Sequence, residues 1–448
     1  MMNDNQALNI DIDELINELT SSDFMLPETF QGLNAYQWAS IFESLLNSQR
    51  LLLWQSVPAE LKSSVLSEMR EDARGHFLSE LSQTNIEEAV VTGSNTEVVE
   101  IFDSLPEKTI VRLIKKLAPD SQSQVETSLS YTSDQVGRYA NQDVYTIASA
   151  AKVNDVLQEL KTEEHFQDSH AYVVIDGHGT YVGEVFINEL LAAEGAQTIN
   201  ELVHKADTCI SSNLSLLEAS NLVRGSQRSL LPVVDEQGRF VGNFSIQDAL
   251  DVFQEHYESQ LAHLGQVSDE DLYAPILLSA RRRAVWLGIN LLTAFLASAV
   301  IGLFDKVLIE VVALAVLMPI VASMGGITGS QTLTLAIRGI ATGQLNSSNF
   351  NYLRRKEVIV AALNGLVWAL VVGAIAYVWF DNPLVAIILA LALIINMLVA
   401  SICGIVIPRL LDRVGIDPAL AGSVILTTIT DVVGFMVFLG GASVIFLS

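Results

Sequence analysis

One acidic residue, Asp431, lies inside the last apolar segment of this 448-residue chain, AGSVILTTITDVVGFMVFLGGASVIF. A carboxylate at the centre of a membrane-spanning helix costs about 2.5 to 3.5 kcal/mol on insertion scales, so such residues usually face a polar cavity and mark an ion or proton pathway. Thr427 lies one helical turn earlier on the same face, and Thr428 lies within that turn. Mg2+ prefers oxygen ligands and keeps several of its waters, which fits one carboxylate with neighbouring hydroxyls. We therefore predict a divalent-cation path here; the alternative is that Asp431 pairs with a buried arginine or a helix end.

Asp431 belongs to the last of five apolar segments, each near or above the length of about 20 residues that a helix needs to cross a bilayer. The segments cover residues 284–304, 307–337, 357–380, 384–407 and 418–447. Glu310 opens the second of them, where it could gather cations at an outer mouth or simply favour the helix dipole. Five spans per chain do not suggest internal inverted repeats, so we expect a homodimer in which one Asp431 supplies two carboxylates to one pore.

Basic residues orient these segments, because cytoplasmic loops collect Lys and Arg. Nine of the ten basic residues after residue 280 fall on one side of the predicted membrane, and Lys306 alone falls on the other. This pattern predicts a multi-pass protein of the plasma (inner) membrane, with a cytoplasmic N-terminus and with Ser448 outside.

Charge divides the chain near Ala280. Residues 1–280 hold 15 Lys and Arg against 44 Asp and Glu, whereas residues 281–448 hold 10 against 7. An acidic soluble half is a poor candidate for nucleic acid and a good one for metal cations, although acids also simply keep a protein soluble. No Gly-x-x-x-x-Gly-Lys-Ser/Thr phosphate loop is present, and ion movement down a potential needs no covalent chemistry, so we do not expect an enzyme.

The soluble half contains an internal repeat. AYVVIDGHGTYVGEVFINELL at 171–191 is echoed by LLPVVDEQGRFVGNFSIQDAL at 230–250. Each copy predicts a strand, a turn carrying Asp-x-x-Gly, a second strand and the start of a helix. The pattern favours a tandem α/β sensor module.

With these motifs, the chain resembles the MgtE family of magnesium channels over nearly all its length. MPIVASMGGITGSQTLTLAIRGIATGQ and DPALAGSVILTTITDVVGFMVF resemble the two characteristic membrane stretches of the family. The resemblance implies a multidomain fold with an all-α superhelical N-terminal domain, an α/β tandem CBS pair, a connecting helix and a five-helix α transmembrane domain. It divides the chain into a flexible N-terminal segment (1–29), a helical N-terminal domain (30–130), two CBS domains (134–200 and 201–252), a connecting, plug-like helix (253–280) and a transmembrane domain (281–448).

The family resemblance also implies site residues. Asp431 falls on the pore acid of a homodimer whose pore is lined by the second and fifth helices. Where the family commonly reads Gly-Gly-Asn and then Asn-Gln, this chain has Gly326-Ile327 and Ser330-Gln331, so those amides are not carried over. The family gate, which binds Mg2+ through acids between the CBS domains and the connecting helix, is matched by acids at helical spacing: Asp248, Asp251, Glu255 and Glu258. A solvated acidic helix face is the alternative.

Ser245 and Asp248 resemble the hydroxyl and carboxylate with which many CBS domains hold a ribose, which adds ATP as a predicted ligand. Altogether we predict inward Mg2+ transport through a dimeric channel in the lipid bilayer, gated by cytoplasmic Mg2+. The alternatives are transport of another divalent cation, Co2+ or Mn2+, and a membrane-bound sensor of Mg2+ or nucleotide that transports nothing.

Overall fold

The computed structural model describes residues 30, 32–162, 171–205, 208–265, 267, 276–346 and 348–447. These residues form two compact units, one ending at Tyr257 and the other beginning at Glu258. The segment predicted to be flexible, 1–29, lies outside the described residues.

Within the described residues, the first unit has eight short α-helices up to residue 130, as the all-α prediction requires. Capping boxes set where two of them begin: Asn34 Oδ1 accepts from the Gln37 amide at 2.9 Å, and Ser94 caps the sixth helix with Glu97. Buried aromatic rings pack together at the centre of this bundle, among them Trp38, Phe42 and Phe77. The helices are α1 (Ala35–Glu43), α2 (Asn47–Trp54), α3 (Lys62–Glu68), α4 (Glu71–Glu80), α5 (Gln83–Thr92), α6 (Asn95–Asp103), α7 (Glu107–Ile114) and α8 (Pro119–Leu129).

Two α/β repeats follow, as the sequence echo predicts. Each repeat has a three-stranded sheet in which the first strand runs parallel to the second and the second antiparallel to the third. Each hairpin turn has an Asp whose carboxylate accepts backbone N–H groups and a Gly at φ 78°, where a side chain would be strained. The elements are α9 (Val136–Tyr139), β1 (Thr146–Ala148), α10 (Val153–Thr162), β2 (Ala171–Ile175), β3 (Tyr181–Phe186), α11 (Ile187–Ala192), β4 (Ile210–Ser211), α12 (Leu216–Ser226), β5 (Leu230–Val234) and β6 (Phe240–Ser245).

A single helix, α13 (Ile246–Leu264), continues directly from β6. The sequence places the start of a connecting helix at 253, but that position lies inside α13. The hydroxyl and carboxylate of Ser245 and Asp248 form reciprocal bonds with each other's backbone N–H at 3.1 and 2.7 Å, which is the pattern of a capping box. The helix therefore begins at the end of the sheet and not at a separate linker.

Five helices of the second unit are long and apolar enough to cross a membrane. The predicted second segment is divided, because Val311, at φ −125° and ψ 80°, interrupts the helix. Pro319 lies inside the unbroken helix that follows. The helices are α14 (Ile276–Gly302), the short α15 (Asp305–Glu310), α16 (Val312–Ala341), α17 (Phe350–Phe380), α18 (Pro383–Val414) and α19 (Pro418–Phe446).

Helices α16, α18 and α19 pack against one another, α17 packs on α18, and α14 packs on α19. Glycines allow the close approach: a Cβ on Gly404 would lie 2.8 Å from the Gly329 carbonyl oxygen, and one on Gly329 would lie 2.9 Å from the Leu426 side chain. The glycine-rich stretch of α16 therefore packs closely against α18 and α19.

Candidate metal path and acid cluster

Asp431 lies on a face of α19 that the rest of the chain leaves partly uncovered. Thr427, one turn earlier, is exposed, and the Asp431 carboxylate is only partly buried. Within the described residues this carboxylate has no hydrogen-bond donor and no cationic partner. Among the described residues, therefore, neither an arginine nor a helix end neutralises Asp431.

The hydroxyls beside Asp431 are oriented by their own helix. Thr427 donates to the Ser423 carbonyl at 2.8 Å, and Thr428 donates to the Val424 carbonyl at 2.7 Å. Each hydroxyl oxygen keeps lone pairs that a cation or its waters could use. Thr428 is partly buried, whereas Thr427 is exposed, so Thr427 is the more accessible of the two hydroxyls beside Asp431.

Helix α16 carries a polar stripe on its exposed side, formed by Ser323, Ser330, Gln331 and Thr334. Polar side chains facing hydrocarbon are costly, so such a stripe normally faces protein or water. Because α16 packs directly against α19, a polar side of α16 lies in the same bundle as Asp431.

Glu310 does not open the second spanning helix. It is the last residue of α15 and is exposed, and α16 begins after the break at Val311. Glu310 directly precedes Val311, the N-cap of the much longer α16, so a favourable interaction with the dipole of α16 stays an alternative explanation for its charge. Its predicted role at an outer mouth stays a prediction.

A second group of acids occurs in the first unit, where residues of α13 approach the N-terminal helices. Burial raises the pKa of Glu68, and the neighbouring charges of Asp251, Glu97 and Asp248 raise it further. Burial likewise raises the pKa of Asp248. The pKa of Asp251 is raised by burial and by the neighbouring charge of Asp248. These four residues, Glu68, Glu97, Asp248 and Asp251, form what we call the acid cluster.

The sequence predicted Asp248 and Asp251 but missed their neighbours on α3 and α6. No local pattern marks Glu68 or Glu97, because they reach the acid cluster through tertiary packing. In the part of the chain that the structure describes, no three Asp, Glu, His or Cys side chains converge as a ready metal site. The acid cluster is thus a region of like charge and not a preformed coordination sphere. Such a region suits an ion that keeps its bound waters.

Glu255, one turn beyond Asp251, faces Glu100. Burial raises the pKa of Glu100 to about 7; Arg74, 3.3 Å away, opposes this, whereas Asp103 and Glu255 raise it. The Glu100 side chain remains 34% accessible, so water screens part of the effect. Glu258 belongs to the second unit, and its predicted role stays a prediction.

Glu100→Gln is expected to stabilise the first unit at pH 8 and to change the stability of that unit little at pH 5. Because the pKa is raised from the 4.5 of an ordinary Glu to about 7, stability is fully present below pH 4.5 and is lost as the pH rises through 7. Thermal unfolding of the full chain in detergent with a chelator, at pH 5, 6.5 and 8, measures this. Exposed Glu107→Gln is the control; an equal or lower midpoint for Glu100→Gln at pH 8 would contradict the expectation.

The predicted ribose pair, Ser245 and Asp248, forms the capping box of α13, and Asp248 also belongs to the acid cluster. Each side chain therefore already has a structural partner. Nucleotide binding at this pair stays a prediction.

At its far end, α13 contacts the start of α19. His263 Nδ1 lies 2.5 Å from Asp417 Oδ2, and Asp417 Oδ1 accepts from the Ala419 amide at 2.8 Å as the N-cap of α19. The next residue, Leu264, packs on an apolar cluster that includes Leu333 and Leu426. The sequence singled out neither His263 nor Asp417 for such a contact.

Sequence analysis also missed Asn396, on α18, which is fully buried and whose Nδ2 donates to the Val321 carbonyl at 3.0 Å. Asn364, a single amide in the third apolar segment, is exposed and has no partner among the described residues. The structure therefore assigns the interhelical amide to α18. Both residues stand in continuous apolar runs, and only packing distinguishes them.

Comparisons with known proteins agree with this architecture. Residues 318–441 match the family model MgtE, divalent cation transporter; residues 33–134 match the MgtE intracellular N domain, and residues 199–255 match the CBS domain. The chain is 25% identical over 425 residues to magnesium transporter MgtE of Thermus thermophilus, covering 93% of this chain and 94% of that relative. It is 24% identical over 416 residues to magnesium transporter MgtE of Bacillus subtilis, covering 92% of each.

Among solved structures, the cytosolic domain of the Mg2+ channel MgtE in complex with ATP matches at 21% identity and a TM-score of 0.46, covering 50% of this chain and 92% of that one. The family matches and the two full-length relatives follow the same order as the helical domain, the α/β repeats and the five apolar helices. The chain belongs to the MgtE family of divalent cation transporters.

Proposed function

We propose that this protein carries Mg2+ inward across the plasma membrane, along a path that passes Asp431. The observation that carries the proposal is the Asp431 carboxylate, which has no partner among the described residues and lies beside the exposed Thr427. An unneutralised acid in an apolar helix is expensive unless a cation or water compensates it. The choice of Mg2+ is supported by the names of the two relatives, both magnesium transporters.

The path would be completed by a second copy of the chain. The polar stripe of α16 and the Asp431 face of α19 are uncovered in one chain, and a two-fold axis beside them would bring two carboxylates to one pore. Helix α13 offers a further surface for a second copy: Leu250, Tyr257 and Leu261 are exposed at intervals of seven and four residues, which puts them on one face.

The driving force would be electrical. An inside-negative potential supplies about 2.3 kcal/mol per charge per 100 mV, so roughly 4.6 kcal/mol for a divalent ion. With the first unit in the cytoplasm, as the basic residues predict, this potential draws Mg2+ to the side of the membrane on which the acid cluster would lie.

The acid cluster would serve as the cytoplasmic gate. Its carboxylates repel one another until a cation compensates them, so bound Mg2+ favours the arrangement in which α3, α6 and α13 stay together. Mg2+ that has entered would thereby oppose further entry. We keep the division of the chain at residues 30–130, 134–200, 201–252, 253–280 and 281–448 as part of the proposal, with the helix α13 spanning the boundary at 252.

The test is Mg2+ entry into proteoliposomes of the native chain under an imposed inside-negative potential, with Co2+ and Mn2+ as competitors. We expect potential-dependent entry, with Mg2+ preferred. Stronger entry of Co2+ or Mn2+ would favour transport of another divalent cation. If folded, correctly oriented protein admits no divalent ion at low lumenal Mg2+, the transport function fails, and a membrane-bound sensor of Mg2+ or nucleotide replaces it.

A further inference from the structure

We propose that Asn396 is a positioning residue that fixes the spacing of α16 and α19 beside Asp431, and that it thereby sets how the path discriminates among divalent cations. The inference rests on the proposed function and adds to it a residue that never touches the ion.

The Asn396 side chain lies at the junction of three helices. It belongs to α18, is 0% exposed, and its Nδ2 donates to the Val321 carbonyl of α16 at 3.0 Å. On its other side it approaches α19 at Gly434. A single carboxamide therefore contacts both of the helices that would line the path.

Two glycines make room for this amide. A Cβ on Gly325 would lie 2.2 Å from Asn396 Nδ2, and one on Gly434 would lie 2.7 Å from the same atom. A methyl carbon and an amide nitrogen that are not bonded do not pack closer than about 3 Å. The amide therefore fills the space that the absence of a side chain at each glycine leaves. The thickness of the amide sets how closely α16 and α19 approach at this level.

This level is close to the level of Asp431. Gly434 follows Asp431 by three residues, which is about 4.5 Å along the helix axis. A small change in spacing at Gly434 consequently changes the position of the carboxylate relative to α16. Selection between ions of similar charge depends on the size and flexibility of the site, so it responds to such a change.

The hydrogen bonding of Asn396 argues against stability as the sole role of this amide. Asn396 Oδ1 is buried and has no partner among the described residues. A buried acceptor without a donor destabilises a fold, and interhelical hydrogen bonds in membranes are individually weak. The amide therefore acts mainly as a planar spacer of fixed thickness between the two glycines. Its contribution to the stability of the fold is smaller.

The experiment compares Asn396→Ala, Gly325→Ala and the double variant in proteoliposomes. Each single change is expected to alter both the ratio of Mg2+ to Mn2+ entry and the half-saturating Mg2+ concentration by about threefold or more. A threefold change corresponds to the free energy of one interhelical hydrogen bond. In the double variant the methyl group at 325 occupies the space that the amide vacated, so the ratio should return to within about twofold of native. Gly373→Ala is the control, because its Cβ would meet Ala390 at an ordinary 3.5 Å.

Folding of each variant is checked by its thermal unfolding midpoint in detergent. If Asn396→Ala does not fold, Asn396→Ser replaces it with the same criteria. A folded single variant with the native ratio and half-saturation, or a double variant in which the two effects simply multiply, would overturn the role of Asn396 while leaving the proposed function intact. A native chain that admits no Mg2+ would overturn both.

Discussion

Asp431→Asn is expected to lower Mg2+ entry at least about 100-fold while leaving the protein folded. Two unit charges 4 Å apart attract each other by about 4 kcal/mol at an effective dielectric constant of 20, and a divalent ion doubles this. Losing even 3 kcal/mol of that attraction changes ion occupancy by about two decades. Asparagine has nearly the same shape, and the native carboxylate has no partner among the described residues that the change would leave unpaired. The measurement is initial Mg2+ entry into proteoliposomes under an inside-negative potential.

The matched control is Asp381→Asn. Asp381 ends α17 at φ 48°, in the left-handed region that Asn also tolerates, so the same chemical change occurs away from Asp431. We expect native entry from this control. Equal entry through Asp431→Asn and the native chain would remove Asp431 from the path, and with it the observation on which the proposed function depends.

Neutralising the acid cluster with Glu68→Gln, Asp248→Asn and Asp251→Asn is expected to abolish the response of the first unit to Mg2+. In the native chain, Mg2+ at 100 times its dissociation constant would stabilise the bound arrangement by about 2.7 kcal/mol. For a unit of this size that is a rise in unfolding midpoint of about 5 °C or more. Without the three charges the repulsion is already relieved, so added Mg2+ should raise the midpoint by less than about 1 °C, and Mg2+ inside the vesicle should no longer slow further entry.

A control with the same change in net charge separates the acid cluster from general screening. Glu107→Gln, Asp120→Asn and Asp134→Asn neutralise three exposed acids of the same unit. This control should keep the native Mg2+ response. If the triple variant of the acid cluster responds to Mg2+ as the native chain does, the cytoplasmic gate is not at these residues.

Much of the membrane unit could be predicted from sequence because its signals are local. Asp431 and Thr427 stand in one apolar run, and a spacing of four residues is enough to place them on one helix face. The same sequence stretches carry the resemblance to a family of membrane transporters rather than enzymes, which the family matches confirm. The ends of the helices were predicted less accurately. The break at Val311 separates Glu310 from α16, and a hydropathy pattern does not reveal such a break.

The remaining features depend on tertiary packing. Glu68 and Glu97 join Asp248 and Asp251 only after α3, α6 and α13 come together, and neither residue has a neighbour in sequence that hints at this. Asn396 and Asn364 look alike as single amides in apolar helices, yet one is fully buried and the other is exposed. Two glycines distant in the chain, Gly325 and Gly434, decide which amide lies between helices.

The contact between His263 and Asp417 joins the end of α13 to the first turn of α19, which Asp417 caps. Asp417 precedes Asp431 by 14 residues, which is about 21 Å along the helix axis. Between these two acids α19 is closely packed, because Gly422 lies against Leu333 and Leu426 lies against Gly329. A displacement of the end of α13 would therefore reach the first turn of α19 directly, whereas the packed segment that follows would limit its effect on the Asp431 carboxylate. The helix thus separates the residue that receives such a movement from the residue that meets the ion.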